Sequence, residues 1–309
     1  MSAVREGDPV LADADTALRA YGGGWQGRLA LDLALRDGRS VAARLAHHGP
    51  LRVQKLLWPE GPALAHAILL HPPAGLAGGD SLSLELALEP GSALLLTTPG
   101  AGRWYRGDAP ASQTVSVAVG ARACLEWLPQ ECVLHDGVIG AQSMRVDVAA
   151  DATALGTEVL VLGRRASGER LERADFDSRL ELRRDGRLLL AEHARIDARA
   201  AGAAALGDAH ASGLLWAIAP DPIDPLLPER CEAAIDATIA AADEHRDDRR
   251  GWGIDATIGG ASLVDPHLLL VRVLGRSPQT VRAAITAAWS VLRPPLVGRE
   301  AVVPRIWRT

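Results

Sequence analysis

The sequence predicts a mainly β protein, with many short strands in a stacked, helical or sandwich-like arrangement and two α-helices in the C-terminal third. Three observations predict it. Apolar residues recur at every second position from residue 25 to about 200, the turn tetrapeptide Arg-Asp-Gly-Arg occurs twice inside such runs, and helical spacing is confined to two later segments.

In chain order, Leu29, Leu31, Leu33 and Leu35 alternate with Ala30, Asp32 and Ala34, and Asp37-Gly38 then turns the chain into Val41, Ala43 and Leu45. A two-residue Asp-Gly link between alternating runs is a β-hairpin signature. Leu82, Leu84, Leu86 and Leu88 precede the turn Glu89-Pro90-Gly91, and Val115, Val117 and Val119 precede Gly120. The second Arg-Asp-Gly-Arg, at 184–187, predicts another hairpin between Leu180/Leu182 and Leu188/Leu190. The stretch 198–213, ARAAGAAALGDAHASG, reads as a loop or a weak helix, and with Pro220 to Pro228 it marks a structural seam.

Cys231, Ile235, Ile239 and Ala242 then recur at helical spacing, predicting a helix over about 228–244. Val281, Ile285 and Trp289 predict another over 277–292, with Ser277 as N-cap, Pro278 in the first turn and Pro294-Pro295 as its stop. Leu268 to Leu274 reads as a strand between them, so the helices are expected to pack on the sheets and not to alternate with strands as βαβ units do. The chain, 1–309, is read as a single domain with its β body at about 24–200.

Composition narrows the function classes. Hydrophobic residues make up 48% and charged residues 23%, the balance of a folded protein, and the net charge of −5 comes with arginines scattered among acids, which argues against a nucleic-acid partner. No apolar run approaches the roughly 20 residues of a spanning helix. The start, MSAVREGDPVLADADTAL, is acidic and mixed where a signal peptide is basic then apolar, so a cytoplasmic protein without membrane attachment is expected. Cys124, Cys132 and Cys231 form no CxxC pair, and read as buried thiols.

Enzyme motifs fail on context. Gly22, Gly24 and Gly27 have G-x-G-x-x-G spacing but lead into strand-like alternation where a dinucleotide fingerprint opens a helix. Lys55 sits in Val53-Gln54-Lys55-Leu56 without the glycines of a P-loop. His47-His48 lies at a predicted strand end, where adjacent side chains point to opposite faces and do not share a metal.

Four blocks place Gly, Pro and polar residues inside strand-rich sequence. They are Gly49 to Lys55 followed by Trp58-Pro59-Glu60-Gly61-Pro62; His71-Pro72-Pro73 leading through Gly75, Gly78 and Gly79 to Asp80; Thr97-Thr98-Pro99-Gly100 leading to Arg103-Trp104-Tyr105-Arg106; and Glu126-Trp127-Leu128-Pro129-Gln130-Glu131 leading to Asp136-Gly137. In kind, order and spacing they resemble the signature segments of the urease accessory protein UreD (UreH) family, as do Gly163-Arg164, Gly168-Glu169 and the stretch Glu192 to Asp197. The resemblance is specific over residues 24–200 and a matter of style in the C-terminal third. Trp104 stands where Phe is commoner.

The resemblance implies a non-catalytic scaffold that works with UreF, the GTPase UreG and the urease apoprotein, with nickel passing transiently through an internal water-filled passage and no tightly bound cofactor. Asp80, Glu131, Asp136 and Glu169 are the carboxylates of the family-like blocks, with Thr98 as a neutral neighbour, and are the candidates for contact with nickel. Oxygen ligands bind this ion weakly and release it, as a conduit requires. The same residues have plainer readings: Asp80 as a turn former, Arg103 and Glu131 as an ion pair holding loops, Thr98 as a turn cap. The alternative is a β-rich enzyme or binding module using Asp80, Glu131 and His71, unrelated to nickel. The two helices and the C-terminal end, with Trp289, Ile306 and Trp307, are expected either to support the UreF contact or to be buried against the sheet.

Overall fold

The structure is a computed structural model that describes residues 24–197, 206–207, 209–244 and 257–308. The opening stretch read for a signal peptide, Gly22 of the glycine triplet, and residues 198–205 and 208 of the alanine-rich stretch lie outside the described residues.

The chain begins with a hairpin of β1 (Gln26–Arg36) and β2 (Arg39–His48). It continues through β3 (Arg52–Leu57), β4 (Leu64–Leu70), β5 (Ser81–Leu88), β6 (Ala93–Thr97), β7 (Gly102–Trp104), β8 (Ala111–Val119), β9 (Cys124–Leu128), β10 (Cys132–Leu134), β11 (Val138–Val148) and β12 (Thr153–Leu162). A second hairpin, β13 (Ala174–Arg184) with β14 (Arg187–Asp197), is followed by β15 (Ala211–Ile218), helix α1 (Leu227–Glu244), β16 (Ile258–Asp265), β17 (Leu268–Gly275) and helix α2 (Pro278–Val297).

From β4 to β13 the chain crosses back and forth between two facing sheets, with the short β7 and β10 added directly after β6 and β9 to the same sheet as those strands. Sheet I has seven strands in the order β14-β13-β11-β8-β5-β1-β2, and sheet II has ten, β16-β17-β15-β12-β9-β6-β4-β3 with β10 and β7 alongside. The pairs formed by this coiling, β1 with β5, β5 with β8, β8 with β11, and β4 with β6, β6 with β9 and β9 with β12, are parallel. The arrangement is therefore both helical and a sandwich, and antiparallel hairpins close both ends of sheet I.

The two hairpins are built alike. Asp37 and Gly38 have φ of 48° and 73°, Asp185 and Gly186 have 50° and 74°, and positive φ at both central residues is the turn whose twist matches the flanking strands. Each carries a bulge, between Asp32 and Leu33 and between Leu182 and Arg183.

Sheet I buries one face, so its strands alternate, as Ser81–Leu88 does. Sheet II buries both. Its inner face meets sheet I around Trp104, whose ring stands edge-on to Phe176 with centroids 4.9 Å apart. Its outer face carries the helices, with Cys231 and Ile235 of α1 and Val281, Ile285 and Trp289 of α2 in a second core. Glu229, Arg230, Ala233, Asp236 and Ala237 form the exposed side of α1. Among the described residues, no helix is long and apolar enough to cross a membrane.

Both helices lie where their spacing predicts. The Ser277 side chain accepts from the Thr280 N–H at 3.1 Å, closing the N-terminus. The expected stop at Pro294-Pro295 is not observed: α2 runs through both to Val297 and ends at Gly298, φ 71°, whose N–H bonds to the Pro294 carbonyl. Two prolines remove two donors but no acceptor, and Leu296 and Val297 beyond them still pack on the second core.

Candidate functional site

Sheet II is interrupted where the sequence places its prolines. β6 ends at Thr97, before Thr98-Pro99-Gly100, and β9 ends at Leu128, before Pro129, which has no N–H for a ladder. The β6–β9 ladder stops at Thr97 and Leu128, and a separate β7–β10 ladder starts at Gly102 and Cys132. Along β12 the β9 ladder ends at Gly156 and the β10 ladder starts at Leu160, so Thr157, Glu158 and Val159 have no strand partner on that side. The break runs from Thr98 through Pro129–Glu131 to Thr157–Val159.

Side chains hold its rim. Thr98 Oγ1 accepts from Gln130 N–H at 2.9 Å and donates to the Gly100 carbonyl at 3.1 Å. Thr97 Oγ1 donates to the Leu128 carbonyl at 2.6 Å and accepts from the indole N–H of Trp307 at 2.7 Å.

A cavity of about 380 Å³ lies between the sheets against this break. Leu82, Leu84 and Val115 of sheet I and Trp127 and Trp216 of sheet II give it apolar walls, and the segments around His71 and at 98–103 border it. Its polar wall includes Thr98, Glu131, Cys132, Gln142 and Glu158.

Glu158 is the acid at the centre. Gln142 Nε2 donates to its Oε2 at 2.5 Å and also to Ser178 Oγ at 2.9 Å. Burial pushes its carboxyl up to about 7, the charge of Glu192 adds to this, and the Gln142 bond opposes it. Glu192 is itself held by two bonds from Arg272, at 2.9 and 2.6 Å, which join β14 to β17 across the sheets. Burial likewise pushes the Cys132 thiol up to about 12, with Glu158 and Glu131 adding to it. His71 is lowered by burial, with Asp80 opposing.

The five candidates from sequence fall into three places. Thr98 and Glu131 line the cavity. Glu131 is paired with Arg282 of α2 at 3.3 Å, and not with Arg103. Asp136 and Glu169 lie together in another loop cluster, where Glu169 Oε1 accepts the Asp136 N–H at 3.3 Å. There the Arg173 guanidinium, 2.8 Å from Asp136, holds that carboxyl below its usual range, and Arg164, 2.6 Å from Glu169, does the same for Glu169. Asp80 accepts from the Trp25 and Ala77 N–H groups, each at 2.8 Å, and fastens the start of β1 to the turn before β5. The backbones meet so closely there that a Cβ on Gly24 would lie 1.9 Å from the Gly79 carbonyl oxygen. Among the described residues, no three His, Cys, Asp or Glu side chains are grouped to hold a metal ion.

With this geometry in place, comparison with known proteins is decisive about kinship. The family model for the UreD urease accessory protein matches residues 26–308. The chain belongs to the UreD family. The urease accessory protein UreD of an Azoarcus species is 40% identical over 295 residues, covering 95% of this chain and 97% of that one. That of Delftia acidovorans is 41% identical over 310 residues, covering 95% and 98%. That of Pseudomonas aeruginosa is 38% identical over 287 residues, covering 92% and 95%.

The UreD match extends through α1 and α2, where motifs alone were least specific. Within the UreD-like blocks, sequence reasoning singled out Glu131 and Thr98 but passed over Glu158. The signal was present: Glu158 is the single charge in the apolar run Thr153–Leu162, which otherwise reads as a strand buried on both faces.

Proposed function

We propose that the chain is a non-catalytic, single-domain scaffold of urease maturation, acting in the cytoplasm, which with UreF and UreG delivers nickel to the urease apoprotein. The names of its relatives supply the urease connection. The observation that carries the mechanism is the cavity between the sheets, whose wall includes the oxygen-bearing residues Thr98, Glu131, Gln142 and Glu158, with no three His, Cys, Asp or Glu side chains grouped among the described residues. Such donors exchange Ni²⁺ quickly, whereas a clustered Cys/His set retains it. A carboxyl with its pKa raised to about 7 also changes charge near neutrality, so a passing cation meets a group able to ionise against it.

The test is urease activation together with a pull-down on the same variants. Glu131→Leu and Glu158→Leu are expected to lower activation while the complex with UreF and UreG still assembles. Full activation by both variants overturns the passage. A clean preparation of the chain is expected to show no nucleotide turnover, and measurable turnover would favour the enzymatic alternative.

A further inference from the structure

The break in sheet II has open space on both sides. On the helix side lies a small cavity of about 20 Å³ whose wall shares Pro129, Gln130, Thr157 and Val159 with the large one. These four residues form a partition one layer thick. No strand ladder spans it, because β12 lacks a partner there between Gly156 and Leu160.

The far wall of the small cavity is formed by Arg282, Thr286 and Trp289 of α2 and by Trp307. Arg282 lies across it. Its guanidinium donates to Gln130 Oε1, stands 3.3 Å from Glu131 Oε2 and lies 5.8 Å from the centroid of the Trp307 ring. Trp307 is in turn fixed by its bond to Thr97 and packs 6.2 Å from Trp289. The Arg282 side chain is 33% exposed, so it borders solvent on its outer side.

We propose that the break in sheet II is a second mouth of the cavity, opening toward the helix face, and that Arg282 is its stopper; this rests on reading the cavity as a cation passage. While Arg282 is in place it fills the opening and sets a permanent positive charge in the path of a divalent cation. When it swings out, the same movement frees Gln130, the side chain it holds in the shared wall, and releases Glu131, so the wall can part as a repelling charge leaves and an attracting carboxylate is freed. Glu131 is thereby a switched ligand at the rim, whereas Glu158 is a fixed one inside.

Cys132 provides the readout, since it lines the large cavity one residue beyond the break. In the full-length chain carrying Cys124→Ser and Cys231→Ala, Cys132 is the single thiol, and its rate of modification by methyl methanethiosulfonate, divided by its thiolate fraction in the same variant, measures access to the cavity. Arg282→Ala is expected to raise that rate by about tenfold. Trp307→Ala removes the neighbouring wall and the ring beside Arg282 while leaving both members of the Arg282–Glu131 pair, and is expected to raise it in the same direction. A chain retaining Cys124 in place of Cys132 reports general loosening, and its rate is expected to stay unchanged.

Unchanged Cys132 labelling in folded Arg282→Ala overturns the second mouth, as does an equal rise at Cys124. If Arg282→Ala does not fold, Trp307→Ala decides in its place. Labelling reads access and not nickel transfer. A mouth that opens in chains whose Glu131 and Glu158 variants still activate urease leaves the mouth standing and removes the passage; unchanged labelling removes the mouth and leaves the passage to its own test.

Discussion

Arg293 of α2 and Glu126 of β9 meet 3.0 Å apart with no solvent exposure on either side chain. Glu126 also accepts from the indole N–H of Trp289 at 2.8 Å, and Arg293 reaches Glu60 at 2.8 Å, which in turn meets His66 at 2.9 Å. The network ties the helix layer to sheet II. Burial raises the Glu126 carboxyl while Arg293 opposes it, so removing Arg293 leaves a buried acid without its cation. Arg293→Met is expected to cost about 3–5 kcal/mol in urea unfolding, the usual range for breaking one side of a buried pair. Adding Glu126→Gln should restore part of that. A loss below about 1 kcal/mol would show that α2 is anchored elsewhere.

Glu158 gives a pH dependence of known sign. Its folded pKa of about 7 lies above the ordinary carboxyl value of 4.5, so the folded state binds more protons between those limits. Stability attributable to this group is present below pH 4.5 and is lost as pH rises through 7. Glu158→Gln removes the titration, and above neutrality the variant should be more stable than the parent by roughly 1–3 kcal/mol. Urea unfolding of both chains across this range checks it, and parallel profiles would refute it.

Two glycines separate steric from backbone cost. A Cβ on Gly156 would lie 2.1 Å from the ring of the buried Trp216, so Gly156→Ala must displace a core side chain at the edge of the break. Overpacking of this kind costs about 1–3 kcal/mol. Gly186 has φ +74° and open space where a Cβ would go, so Gly186→Ala bears only the left-handed backbone penalty of about 1–2 kcal/mol.

These residues also show what the sequence reveals of the fold. Sheet I was legible because one face meets solvent, which writes the alternation into Ser81–Leu88, and the Asp-Gly turns named both hairpins. Sheet II is buried on both faces, so Thr153–Leu162 and Ala211–Ile218 lose the period. The parallel pairing was not legible, since strands 30 or so residues apart become neighbours only through coiling that no local pattern records. The site was half legible. Thr98 and Glu131 stand beside prolines that mark a break, but Arg282, the partner of Glu131, is 151 positions away.

Asp80 and Glu131 predict opposite phenotypes from similar chemistry. Both oxygens of the Asp80 carboxylate accept backbone N–H groups, so Asp80→Leu strands two donors and releases the start of β1. Its cost is expected to be about 1–3 kcal/mol, with activation and assembly falling together. Glu131 is held at the rim by Arg282 and carries no such backbone duty for its side chain. Glu131→Gln should keep assembly and stability and lower activation alone, because it preserves size while removing the charge that faces the cavity. Asp136→Asn and Glu169→Gln, set in their own arginine-paired cluster, should weaken that loop before they affect transfer. Thermal melts, pull-downs with UreF and UreG, and urease activation measured on the four variants separate these roles. If Asp80→Leu and Glu131→Gln lose activation to the same degree with equal loss of assembly, the division of labour between turn and rim is wrong.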